Sequence, residues 1–146
     1  MTYHTNTVIV YKHSGYNWVK VHSFTAHVAL GCLKTLSVMN NQIKCCSSKD
    51  NKIAVYSLRG ELLQTYGTHG RGDAGLLNYP LICADDDDGS VLIADHDNDR
   101  LQVMREQGEF SVLQLQPPVS LPCSAVLINN KLYVTSADKR KLYRYF

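Results

Sequence analysis

The sequence predicts an all-β fold built from repeated units of four antiparallel strands. Three observations carry this. Equivalent segments recur along the chain at offsets of 45, 48 and 41 residues. Apolar residues alternate within short runs, the period-two pattern of half-buried strands. No stretch holds a 3.6-residue apolar period between a cap and a stop, so almost no helix is expected.

The units can be laid out in order, with their strands called a, b, c and d. Asn6-Thr-Val-Ile-Val-Tyr11 followed by Gly15 matches Asn51-Lys-Ile-Ala-Val-Tyr56 followed by Gly60. Residues 7–24 therefore supply strands c and d of a first unit, within a segment spanning about residues 1–24. Residues 33–66 form a second unit. Its Ile43–Tyr56 stretch lies over Val91–Met104 of a third unit at 80–114. There strand a is expected near Leu81–Ala84, b at Val91–Ala94, c at Leu101–Met104 and d at Glu109–Leu113. Leu132–Tyr143 matches again, so 122–146 gives strands a, b and c of a last unit. Asn40-Asn41, Asp88-Gly89 and Asn129-Asn130 each stand just before a strand b. Asn and Gly tolerate the positive φ that a tight hairpin needs.

Strand units of 40 to 50 residues repeated in series imply β-propeller blades of four antiparallel strands, because one blade cannot bury its own faces. About 13 strands are expected, roughly three blades. The chain, 1–146, reads as a single domain and as a partial or open propeller. It is expected to be a piece of a longer protein, or to self-associate and complete a ring.

Composition narrows the functional classes. The 146 residues carry a net charge of +2, too small to argue for nucleic acid by itself. No run of 18 apolar residues suggests a membrane span. The cysteines are Cys32, Cys45, Cys46, Cys83 and Cys123. They are odd in number, lack C-x-x-C spacing and mostly sit in apolar runs, which favours buried reduced thiols and a cytoplasmic location.

Several motif-like stretches have quieter readings. Asp95, Asp97, Asp99 and Glu106 stand at calcium-loop spacing, but Arg100 takes the position where that loop needs glycine, and strands flank it. The stretch is expected to be a polar b–c turn. A basic residue recurs just before strand c as Lys52, Arg100 and Lys141, which suggests a structural tie to a nearby carboxylate or carbonyl. Arg71-Gly72-Asp73 belongs to a glycine-rich link between blades. That link is followed by Leu76-Leu77 rather than a helix N-terminus, so it is no phosphate cradle.

The stretch Gly67–Pro80, then Ile82–Asp85, Gly89–Asp95 and Asn98–Val103, resembles an NHL repeat. Its marks are the glycine-spaced loop, the proline, the Asp-ended strand, the glycine turn and N-x-R. The match is good over 67–110, weaker over 33–66, and partial over 122–146, where Pro122 remains but the glycine loop is missing. The resemblance implies a binding module, such as the C-terminal part of a tripartite-motif-like protein, whose family binds proteins or RNA.

Topology places the recognition face. In a four-stranded blade the d–a links and b–c turns emerge at one end. That face gathers His69, Arg71 and Tyr79, then Lys49, Lys52, His96 and Arg100, then Lys139, Arg140 and Lys141. Tyrosines beside bases suit single-stranded RNA, but Asp50, Asp73, Asp95, Asp97, Asp99 and Asp138 share the face and suit a protein partner better. No catalytic constellation is legible. The chain is expected not to be an enzyme, and to need no cofactor or metal. A propeller lyase or lactonase fragment stands as the remaining alternative.

Overall fold

A computed structural model of the chain describes residues 6–26, 33–138 and 140–146. Strands β1 (Thr7–Ser14) and β2 (Asn17–Thr25) form a hairpin. Strands β3 (Leu33–Met39), β4 (Gln42–Ser47), β5 (Lys52–Ser57) and β6 (Leu62–Tyr66) form a four-stranded antiparallel sheet in chain order. Strands β9 (Pro80–Asp85), β10 (Val91–Asp95), β11 (Arg100–Met104) and β12 (Phe110–Val112) form a second. Strands β13 (Pro122–Ile128), β14 (Lys131–Ser136) and β15 (Lys141–Tyr145) form a three-stranded sheet. The link between the four-stranded sheets holds a short parallel pair, β7 (Thr68–His69) and β8 (Leu76–Leu77). Among the described residues there is no α-helix, only a 3-10 turn at His96–Asn98. Among the same residues no helix is long and apolar enough to cross a membrane.

The turns follow from the residues that make them. Asn40-Asn41 and Asn129-Asn130 hold positive φ at both positions, the geometry of a two-residue hairpin turn. The b–c turns end on a left-handed residue at one register, Asn51, Asp99 and Arg140, just before β5, β11 and β15. The c–d turns close on Gly60 and Gly108, at φ of +89° and +91°.

An apolar core lies at each junction between successive sheets. The hairpin meets the first full blade through Val8, Ala26, Ile43, Cys45, Ala54 and Tyr56. The two full blades meet through residues including Cys46, Ile53, Leu77, Ile93 and Met104. The third junction joins Ala94 and Leu101 to Val119, Ala125 and Val134. Equivalent residues thus do equivalent work: Cys46 and Ile53 in one blade, Ala94 and Leu101 in the next. Burying a side chain of Ile, Leu or Met size contributes about 1.5–3 kcal/mol, so these junctions stabilise what no single blade could.

The junctions are reinforced at both ends. At the b–c end, Asn51 Oδ1 accepts the Tyr79 N–H at 2.8 Å, and Asp99 Oδ1 accepts the Leu121 N–H at 2.7 Å. Tyr79 and Leu121 are themselves left-handed and precede Pro80 and Pro122. Each b–c turn therefore pins the entry to strand a of the following blade. Aromatic rings from strand d also lie on the c–d glycines of the next blade, Phe24 on Gly60 and Tyr66 on Gly108.

At the opposite end, Lys44 is 1% exposed and donates from Nζ to the Gly89 carbonyl. Ser37 Oγ donates to Asp85 Oδ2 at 2.7 Å, and Asn40 Nδ2 to Glu106 Oε1 at 3.0 Å. Burial holds the Lys44 ammonium below its ordinary pKa, only partly opposed by Glu106, Asp85 and Asp88. The lowered value means the folded chain releases this proton more readily than the unfolded chain. Stability from this group therefore rises with pH between the lowered value and 10.5, and the penalty is full below that window. Urea unfolding across neutral to alkaline pH should show wild type gaining on Lys44→Met as pH rises. A gap that stays constant or shrinks would contradict this.

Candidate interaction face

The glycine link and the b–c turns do converge. Arg71 donates to the Asp97 carbonyl at 2.8 Å, Asn98 Nδ2 to the Gly70 carbonyl at 2.8 Å, and Asp97 N–H to the Asn78 carbonyl at 3.1 Å. The link of one blade junction and the b–c turn of the next blade form one continuous surface.

Its foundation is the Asp95 carboxylate, fully buried. Oδ1 accepts the Asn78 N–H at 2.7 Å. Oδ2 accepts from Asn98 Nδ2 at 2.9 Å, Arg100 Nε at 2.8 Å and Gln102 Nε2 at 2.8 Å. Arg100 also reaches the carbonyls of Gly72, Asp73 (3.0 Å) and Leu76 (2.7 Å). Gln102 accepts the Gly75 N–H at 2.9 Å and donates to the Leu76 carbonyl at 2.9 Å. A buried charge is tolerated when it is paired and fully hydrogen-bonded. Here that pairing folds the glycine link onto the blade.

This arrangement answers the calcium-like spacing. Both Asp95 oxygens are filled by N–H donors, and Asp99 Oδ1 by Leu121 N–H and Ser120 Oγ. Glu106 lies at the other end of the blade, bonded to Asn40. Among the described residues no group of three or more His, Cys, Asp or Glu is placed to hold a metal.

The recurring base before strand c divides. Arg100 makes the expected tie, its side chain 14% exposed. Lys52 and Lys141 are exposed at the same register. The reason is the residue opposite. Asp95 is matched by Ser47 and Ser136, which offer no charge and bond elsewhere, Ser47 to Asp50 and Ser136 to the Ser120 carbonyl.

The remaining predicted residues can be placed in turn. His69, Arg71, Lys49, Lys52, Arg140 and Lys141 are exposed, and Lys139 lies outside the described residues. Tyr79 is 36% exposed, its ring 5.5 Å from that of half-buried His96. Lys34, which the sequence reading missed, stands over the Tyr79 ring at 5.9 Å. His96 Nδ1 is 2.9 Å from the Pro122 carbonyl and 3.7 Å from Cys123 Sγ. With the ring proton donated to the carbonyl, Nδ1 has no lone pair to offer the thiol. Cys45 and Cys83 are free thiols, pushed up by burial to about 12 and about 11. Cys32 lies outside the described residues.

No family model and no curated protein matches the chain. Solved structures do. A streptogramin B lyase structure is 18% identical with a TM-score of 0.63, covering 99% of this chain and 49% of that one. Virginiamycin B lyase from Staphylococcus aureus is 15% identical at 0.60, covering 85% and 44%. BamB from Moraxella catarrhalis is 21% identical at 0.55, covering 84% and 35%. The chain thus spans half or less of each, and the shared feature is the fold, a β-propeller. The expectation that the chain is not an enzyme is corrected here. Lyases are built on this fold, so the lack of a legible catalytic motif does not exclude catalysis.

Proposed function

We propose that the chain is an NHL-like propeller module, of the kind found in tripartite-motif-like proteins, acting in the cytoplasm. Its face of links and b–c turns recognises a protein partner. The observation that carries this is the charge pattern. The Asp95–Arg100 pair cancels inside the molecule. Outside it, Lys49, Lys52, Arg71, Arg140 and Lys141 are set among Asp50, Asp73, Asp97, Asp99 and Asp138, none of them buried. A phosphate backbone needs bases without competing acids, whereas interleaved charge suits a protein surface. Loops fixed on a rigid scaffold also supply the shape that recognition needs.

Short single-stranded RNAs, titrated at several salt concentrations, test the ranking. Binding is expected to be non-specific and weak, with a Kd of roughly 10⁻⁴–10⁻⁶ M at physiological salt, and to weaken further as salt rises. Tight, sequence-selective binding abolished by Arg71→Ala would make RNA the ligand instead.

A further inference from the structure

Residues 13–18 set the first hairpin apart from the two full blades. The pair Lys12–Val19 is equivalent to Ser57–Glu61 and Arg105–Glu109, each one step beyond the pair made by Tyr11, Tyr56 or Met104. In the full blades only residues 58–60 and 106–108 separate the two sides, and each turn closes on glycine. In the hairpin two further pairs, His13–Trp18 and Ser14–Asn17, carry the strands on to a turn at Gly15-Tyr16. These two pairs add about 7 Å of strand. Blade-on-blade packing ends at the shorter turns, so it does not account for the side chains of the extension.

Those side chains are aromatic and exposed. Tyr16 is fully exposed at the turn, and Trp18 is 68% exposed, its ring 4.9 Å from that of His13. Val19 and Val21 behind them are more than half exposed. Lys12 and Lys20 are exposed as well. They sit in adjacent cross-strand pairs, Lys12 with Val19 and Lys20 with Tyr11, so they lie on opposite faces of the hairpin. No Asp or Glu occurs before Asp50, so no acid of the hairpin opposes them. The neighbouring c–d turn offers one base and one acid, Arg59 and Glu61, and Glu61 Oε2 accepts from Ser57 Oγ at 3.4 Å.

We propose that the hairpin tip anchors the protein on an anionic membrane surface, entering the headgroup region end-on. Tyr and Trp favour that region because part of each ring is apolar and part carries a polar group that stays wet. Lys12 and Lys20 stand two and three pairs behind Ser14–Asn17, about 7–10 Å of strand. That matches the depth of about 5–10 Å to which interfacial segments bury their apolar side, and it leaves both ammonium groups at the anionic headgroups. A bilayer surrounds the tip and meets both lysines at once. A nucleic-acid strand tracks one groove, so it would meet only one of them and would leave Val19 and Val21 unused. The c–d turns emerge at the opposite end of the blades from the links and b–c turns, so the anchored protein keeps its recognition face turned away from the membrane. The anchor is therefore independent of the partner bound there.

Trp18 is the only tryptophan in the chain, so its fluorescence reports on the tip alone. Vesicles of phosphatidylserine mixed with phosphatidylcholine should shift its emission to shorter wavelength, saturably. Vesicles of phosphatidylcholine alone should shift it little. Lys12→Gln with Lys20→Gln should weaken co-sedimentation with the anionic vesicles by about 25-fold, at roughly fivefold per lysine. Lys131→Gln with Arg144→Gln removes the same charge from the last sheet and should change binding by less than about twofold. All four side chains are exposed, so both variants keep the fold. Emission unmoved by the anionic vesicles would overturn the proposal. So would equal shifts with the two kinds of vesicle, or equal weakening by the two double variants. A response of Trp18 to short single-stranded RNA in place of the vesicles would overturn it too, and would make nucleic acid the ligand of the tip.

Discussion

Replacing Arg100 with alanine is expected to destabilise the protein by about 3–5 kcal/mol, because it leaves the Asp95 carboxylate buried without its counter-charge. Asp95 is fully buried, and Arg100 Nε stands 2.8 Å from Oδ2. The same substitution removes the guanidinium bonds to the carbonyls of Gly72, Asp73 and Leu76, so the glycine link keeps Gln102 but loses its charged anchor. Arg100→Lys is not expected to restore stability, since one ammonium cannot reproduce a planar fork that serves a carboxylate and three carbonyls. Lys52→Ala and Lys141→Ala, at the same register but exposed, should change stability by less than about 0.5 kcal/mol. Urea denaturation of the three alanine variants reads this contrast directly. Equal, small losses at all three positions would show that Asp95 does not depend on the pair.

Gly108→Ala is expected to cost about 2–4 kcal/mol, from backbone strain and overpacking together. At φ of +91° an L residue is strained, and a Cβ there would stand 1.9 Å from Tyr66 Cε1. Gly72 separates the two causes. Its φ is +99°, but nothing lies within 4 Å of the Cβ position. Gly72→Ala should therefore cost only the strain, about 1–2 kcal/mol. Tyr66→Ala with Gly108→Ala should relieve the crowding and leave both the strain and the loss of the ring from the junction core. If Gly72→Ala and Gly108→Ala cost the same, the aromatic contact contributes nothing.

The blades were legible because their signals are local. Alternation in Ile43/Cys45, Ile53/Val55 and Val91/Ile93 sets the faces of each strand, and paired asparagines set the hairpins. Repetition at fixed offsets then gives the architecture. The convergence of the glycine link with the b–c turns was legible for the same reason, since it follows from strand order alone. What joins one blade to the next was not legible. The bonds from Asn51 to Tyr79 and from Asp99 to Leu121 bridge 28 and 22 residues, and nothing in a local window connects their ends. In hindsight the signal was a proline after Tyr79 and after Leu121, with Asn or Asp closing the preceding b–c turn. Lys44 was hidden differently. A lysine in a strand reads as solvent-facing, and only the approach of Gly89 from the neighbouring blade makes its burial tolerable. The three recurring bases looked alike because sequence gives their register, but the partner opposite decides their role. Among the described residues, only the blade with Asp95 provides a buried carboxylate.

The placement of recognition at the link and b–c turn face is tested most directly by site-specific photo-crosslinking. A photoreactive amino acid is introduced one position at a time at Lys49, Arg71 and Arg140 on that face, and at Asn41, Asp87 and Asn130 on the opposite turns. All six positions are exposed. A common protein adduct from the first three positions, absent from the second three and lost on charge reversal at Arg71, is the expected result. Adducts confined to Asn41, Asp87 and Asn130, or nucleic acid in place of protein at Lys49, Arg71 and Arg140, would contradict it.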